Sequence, residues 1–156
     1  MDAEDVRRYI VGTFDGIDVM TNEGDTFFVY DPLRNLPPER QQPFATIVTG
    51  DHYDTVSALD RPGAYRLNLG LTKQTYVARF GTPPTVRDEH SVLVSDVDYA
   101  AVDTLMPHPV YASQYWISII EPSETNWPVV RGLLAEAHGF AARKHANHEA
   151  RRSSTR

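Results

Sequence analysis

MPHPVYASQYWISIIE, residues 106–121, is the stretch whose reading decides the fold. Pro107 and Pro109 each fix φ and remove a backbone donor, so the segment opens as a rigid turn. Residues 115–120 are aromatic and β-branched, the composition of a strand. Alternation puts Tyr115, Ile117 and Ile119 on one face and Trp116, Ser118 and Ile120 on the other. Both faces are largely apolar, as in a strand buried on two sides. The reading is a central strand, entered by a turn that carries His108, Tyr111 and Gln114, where functional residues concentrate.

C-terminal to this strand, Thr125 or Asn126 caps a helix that tolerates Pro128 in its first turn. Val130, Leu133, Leu134, Ala137 and Ala141 form its apolar stripe. On the N-terminal side, residues 99–105 predict a short helix begun by Asp96 or Asp98, residues 92–95 an edge strand, and 82–90 a proline-containing loop. Thr72 caps a short helix bearing Tyr76, Val77 and Phe80, and Gly81 closes it. In residues 64–71, Tyr65, Leu67, Leu69 and Leu71 alternate with Arg66, Asn68 and Gly70 at a strict period of two. One face of that strand is core, and the other offers an arginine and an amide. Residues 50–63 are polar and irregular, with a helical turn around 55–59, and 44–49 read as a further strand. Residues 31–43 form an extended surface loop. Residues 17–21 and 26–30 read as a hairpin about Asn22–Asp25, and 2–14 as a helix capped by Asp2. Helices at both ends of a run of strands predict an α+β fold, a mostly antiparallel sheet packed against the N- and C-terminal helices.

The chain has 156 residues, enough for one domain with a sizeable core. We expect that domain to span residues 1–144, followed by a basic, disordered tail at 145–156. From residue 143 onward five Lys/Arg stand against the single acid Glu149, so residues 1–142 hold 10 basic and 20 acidic groups, a net −10. An acidic body repels phosphate backbones, so nucleic acid is not an expected partner. There is no cysteine, hence no disulfide framework and no thiolate nucleophile. The first residues are acidic and polar, unlike a signal peptide, and no apolar run approaches the roughly 20 residues of a membrane helix. A cytoplasmic location is expected.

No glycine-rich phosphate loop, metalloprotease motif or nucleophile elbow occurs, and no cofactor or metal is expected. The candidates are looser constellations. In GDHYD, residues 50–54, His52 stands beside Asp51 and Asp54, and a carboxylate-oriented histidine can serve as a general base. The same residues suit a plain polar turn. Arg66 and Asn68 project from one strand face, where a guanidinium can grip a carboxylate or phosphate or pair with Asp60. Tyr111 and Trp116 suit an aromatic wall, and equally core and rim packing. His138, beside the apolar stripe, reads as a partly buried structural residue. The pocket expected from these entries gathers His52, Arg66, Asn68 and His108. His52 and His108 are the candidate catalytic residues there; Asp54, Arg66, Asn68, Tyr111 and Trp116 are the ligand-binding ones.

PFATIVTGDHYDTVSALDRPGAYRLNLGLTKQTYVARFG, MPHPVYASQYWISIIEPS and the later LLAEAH resemble a bacterial family of small proteins known only as a domain of unknown function. The resemblance runs over about residues 2–144. More distantly, the element order and the aromatic strand before the last helix are similar to the MmcQ/YjbR-like family. That likeness implies a two-layer α+β sandwich and, through the label such proteins carry, DNA binding; it transfers no catalytic residue. The functional expectation is a pocket for a small anionic or aromatic ligand. A cofactor-independent enzyme with a histidine base and Arg66 is the alternative.

Overall fold

The computed structural model describes residues 1–154. Helix α1 (Ala3–Thr13) is set by a reciprocal cap in which the Asp2 carboxylate accepts from the Asp5 N–H and the Asp5 carboxylate from that of Asp2. Strands β1 (Ile17–Asn22) and β2 (Asp25–Tyr30) form a hairpin closed at the Asn22–Asp25 pair. Then come β3 (Pro43–Val48), β4 (Arg66–Gly70) and the short helix α2 (Lys73–Phe80), which Thr72 caps and Gly81 terminates at φ 75°. Strands β5 (Met106–Pro107) and β6 (Trp116–Ile120) lead to α3 (Trp127–Ser154). The six strands make one antiparallel sheet in the order β1-β2-β3-β4-β6-β5. This is the α+β architecture that the alternation and the terminal helices predict.

Register explains the two faces. Ala45, Ile47, Leu67, Leu69, Ile117 and Ile119 lie side by side on one face. They share a core with Val6 and Ile10 of α1 and Val130, Leu133, Leu134 and Ala137 of α3. The opposite face carries three rows across β3, β4 and β6. Val48, Arg66 and Ile120 form the first, Thr46, Asn68 and Ser118 the second, and Gly70 with Trp116 the third. Loops cover the first row, where Val48 and Ile120 pack with Leu59, Ala64, Val92, Tyr99 and Met106. The third row lies at the other end of this face. A bulge in β3 opposite Phe28/Val29 leaves Phe44 outside the alternation, and its ring meets His138 of α3.

Several expectations need correction. Residues 99–105 are not helical: Val102 bridges to Ile120 in parallel, the Asp98 carboxylate accepts from the Ala100 N–H, and Asp103 takes a positive φ of 58°. Local aspartate bonding competes with the helix there and wins. Residues 92–95 make only a single bridge, from Leu93 to Arg87, in place of an edge strand. No helix forms around 55–59, where the chain is a turn. Tyr115 leaves the predicted strand, because it ends a tight turn over Ala112–Gln114 at φ 68°. Strand β6, read as central, is the penultimate strand, flanked by β4 and the two-residue β5. Most of all, residues 145–154, expected to be disordered, continue α3; 155 and 156 lie outside the described residues. Alanine, arginine, lysine and glutamate propagate a helix readily once it has begun, and His145 packs edge-on against Tyr30.

Candidate functional site

Arg66 is the largest fully buried side chain, 1% exposed on the sheet face away from the helices. Its fork is filled. Nη1 and Nη2 donate to the two Asp54 oxygens at 3.1 and 3.0 Å, Nη1 also to Ser57 Oγ at 2.8 Å, and Nε to Asn68 Oδ1 at 3.1 Å. Asn68 Oδ1 accepts in addition from Ser118 Oγ at 2.7 Å, and its amide donates to Thr46 Oγ1 at 3.0 Å. Arg66 of the first row and the whole second row thus form one hydrogen-bonded network, and its single ion pair is charge-neutral. Asp54 takes the place that the sequence left open to Asp60 or to a ligand.

Above this floor lies a cavity of about 960 Å³. Arg66, Asn68, Asp54, His108, Tyr111 and Trp116 all line it, together with Gln114 and Tyr53. The volume falls in the range of small-molecule sites. The third row makes the room. Gly70 has no side chain, and the Trp116 indole lies on its backbone so closely that an added Cβ would come within 2.9 Å of the ring. The aromatic lining extends to Phe27, Phe44 and Tyr115, and Tyr53 and Tyr111 are about half exposed. Where α3 passes the end of the sheet, Ala137, Phe140, Ala141 and Lys144 complete the wall.

Charge in the cavity is one-sided. Besides the neutralised Arg66–Asp54 pair, its charged residues are Lys73, at the start of α2, and Lys144, on α3. Neither lysine has an acidic partner among the described residues. The Lys144 ammonium sits 4.3 Å from the centre of the Phe140 ring, and desolvation lowers its pKa from the ordinary lysine value. The sequence reading missed both lysines. Phe140 and Lys144 at i and i+4 were a legible helical pair, whereas nothing local marks Lys73.

His108 sits between the two prolines, 4% exposed, with Nδ1 accepting from the backbone N–H groups of Val110 and Tyr111, both at 3.0 Å. Burial first, and then the Arg66 charge, push its pKa well below the ordinary histidine value. His52 is not with it. The ring turns away from the cavity and bonds Nε2 to the fully buried carboxylate of Asp25, across 27 positions of sequence. Asp25 also accepts from the Thr49 N–H at 2.8 Å. The pair pins the 50–54 loop to the β1–β2 turn, a fastening role. Three of the four polar residues expected together therefore share the cavity, and His52 does not. His138 is stacked on Phe14 and bonded to the Asp15 carbonyl at 2.9 Å, a structural placement.

The Asp25 hydrogen bond, more than any other cause, raises the pKa of His52 above 6.5. Because the folded value exceeds the unfolded one, the contribution is fully present below about pH 6.5 and fades as pH climbs through the raised value. Melting curves between about pH 6 and 9 should show this decline in the wild type and a flatter profile in His52→Gln. An unchanged profile in the variant would assign the decline to another group.

No functionally curated protein and no solved structure matches the chain. Among the described residues, no helix is long and apolar enough to cross a membrane. The family comparison does give an answer: its match runs over residues 1–150, nearly the whole chain, and the protein belongs to DUF6194, a family of unknown function.

Proposed function

We propose that the protein is a binding module for a small aromatic anion, held in the cavity over the polar face of the sheet, where residues of α2 and α3 complete the wall. The observation that carries this reading is the pair Lys73 and Lys144. Both line an aromatic-walled cavity whose buried charges cancel, and neither has an acidic partner among the described residues. In a body of net −10, two unopposed cations at one cavity supply a local attraction for an anion. The anion-binding role expected of Arg66 passes to them, because Asp54 occupies the guanidinium fork.

A cofactor-independent enzyme with a histidine base has less behind it. His52 lies off the cavity, and the Nδ1 lone pair of His108 is taken by two backbone amides. DNA binding, which the MmcQ/YjbR-like likeness would suggest, runs against the acidic body.

The test is a titration with 2-naphthoate and 1-naphthyl phosphate, read from Trp116 fluorescence in a Trp127→Phe background. Both anions should bind, more weakly at high salt. The neutral 2-naphthamide should bind less well. Replacing both lysines by methionine should weaken the anions by roughly 3–10-fold, the scale of two partly screened charge contacts. Equal affinity for acid and amide, or no change in the double variant, would remove the basis of the reading.

A further inference from the structure

His108 is a mostly buried residue of the cavity whose hydrogen bonding is left unfinished. A nitrogen that accepts from two N–H donors carries no proton, so Nδ1 is bare and the ring hydrogen resides on Nε2. The tautomer follows from geometry alone. Nε2–H has no hydrogen-bond acceptor among the described residues, and the residue, 4% exposed, lines the cavity. The ring is also held in place. Tyr111 lies at 5.0 Å and Trp116 at 6.4 Å between centroids, and Pro107 and Pro109 fix the backbone on either side. Turning the ring over would break both amide bonds. Unlike the sealed, unpartnered Nε2 of His145, this nitrogen is not closed off from solvent, so a fixed donor at an aromatic cavity is open to an acceptor supplied from outside.

Two features define that acceptor. An N–H can meet only a lone pair, which excludes an amine or other donor at this point. The Asp54 carboxylate lines the same cavity and is already neutralised by Arg66. A second carboxylate brought onto this floor would face Asp54 without a counter-charge, whereas an uncharged oxygen would not. An imidazole kept neutral by amides at one nitrogen, offering the other N–H, is a known means of polarising a carbonyl.

We propose that His108 is the specificity-determining residue of this cavity, its Nε2–H selecting aromatic anions that carry a second, uncharged acceptor oxygen, such as aryl keto acids. The anionic group is held by Lys73 and Lys144 and the carbonyl oxygen by His108. This selection rests on the aromatic-anion reading of the cavity and sharpens it.

Two matched pairs of probes test it: 4-benzoylbenzoate against 4-benzylbenzoate, and phenylpyruvate against 3-phenylpropionate. In each pair a carbonyl replaces a methylene and the anion is kept. In the full-length protein the ketone of at least one pair should bind at least tenfold more tightly. In His108→Asn the ratio should fall towards one, because the asparagine Oδ1 can accept the same two amides in an Asx turn while its own N–H groups, on a shorter side chain, stop short of the Nε2 position. Should that variant not fold, ¹⁵N-histidine spectra of the wild type decide. The His108 Nε2–H resonance should be present and move on adding a ketone, but not on adding its methylene partner. Equal affinities within both pairs, with the His108 resonance unmoved, would overturn the selection and leave the aromatic-anion site standing. Failure of all four probes and of the naphthyl anions would overturn both.

Discussion

Replacing Arg66 with methionine is expected to lower the unfolding free energy by about 3–5 kcal/mol, the usual effect of removing one member of a buried pair. The cause is what remains. The Asp54 side chain is 5% exposed, and its two oxygens lose both guanidinium bonds; Ser57 Oγ and Asn68 Oδ1 each lose a donor as well. For a domain of this length the fall in Tm is about 6–20 °C. Asp54→Asn should recover part of the loss in the Arg66→Met background, since the second change removes the uncompensated charge. The pair should therefore show strong coupling in a double-mutant cycle measured by urea unfolding. Additive single effects would mean that Arg66 and Asp54 are each solvated independently, and the network reading would fall.

The same network shows what can be read along a sequence and what cannot. The alternation of residues 64–71 is a local pattern, and it placed Arg66 and Asn68 on one face correctly, with Leu67 and Leu69 on the other. It could not say that the polar face is as buried as the apolar one, because that depends on loops 50–64 and 92–105 folding over it. Nor could it choose between Asp54 and Asp60, six residues apart in an irregular loop, for a residue in a strand. Helix caps were legible for the same local reason: Asp2 and Thr72 bond N–H groups three residues on. The pairing of His52 with Asp25 was not, because a turn full of aspartates offers nearer partners in sequence and the chosen one lies at the start of the neighbouring strand, 27 positions back.

Residues 99–105 were misread as a helix because Asp96 and Asp98 look like helix starts, while the chain uses Asp98 to bond a turn. The end of α3 was misread for the opposite reason. Its composition is basic and lacks large apolar groups, yet the helix needs little burial to continue from a well-packed first half. The last α3 residues at the cavity, Phe140 and Lys144, lie just before that continuation. Lys73 and Lys144 converge from positions 71 residues apart, and no periodicity within either helix records such a meeting.

A second large effect should appear in acid. His108 has a folded-state pKa well below the ordinary histidine value, through burial and then the Arg66 charge. In the unfolded chain it titrates near 6.5. Below that pH the unfolded state takes up a proton that the folded state refuses, so stability falls as pH falls, by about 1.4 kcal/mol per unit once well below 6.5. The decline should be visible between pH 6.5 and 5. This window lies above the carboxylate range; Asp5 and Asp103, whose pKa values are lowered by hydrogen bonds to backbone N–H groups, lose their protonation-linked stability only further down. His52 has the opposite sign, because its raised value lets the folded state hold the proton more firmly than the unfolded one; near pH 6.5 it opposes the His108 decline, and it does so equally in the wild type and in a His108 variant. Chemical unfolding at intervals across the window should therefore give a declining stability in the wild type. In His108→Asn, which keeps an acceptor for the Val110 and Tyr111 amides but has nothing to protonate, the decline should be clearly shallower even if the absolute level is lower, leaving the contribution of His148, whose pKa burial also lowers. A wild-type slope that survives intact in that variant would show that His108 takes up its proton in the folded state. The bare Nδ1 and the outward Nε2–H would then be the wrong description of the ring.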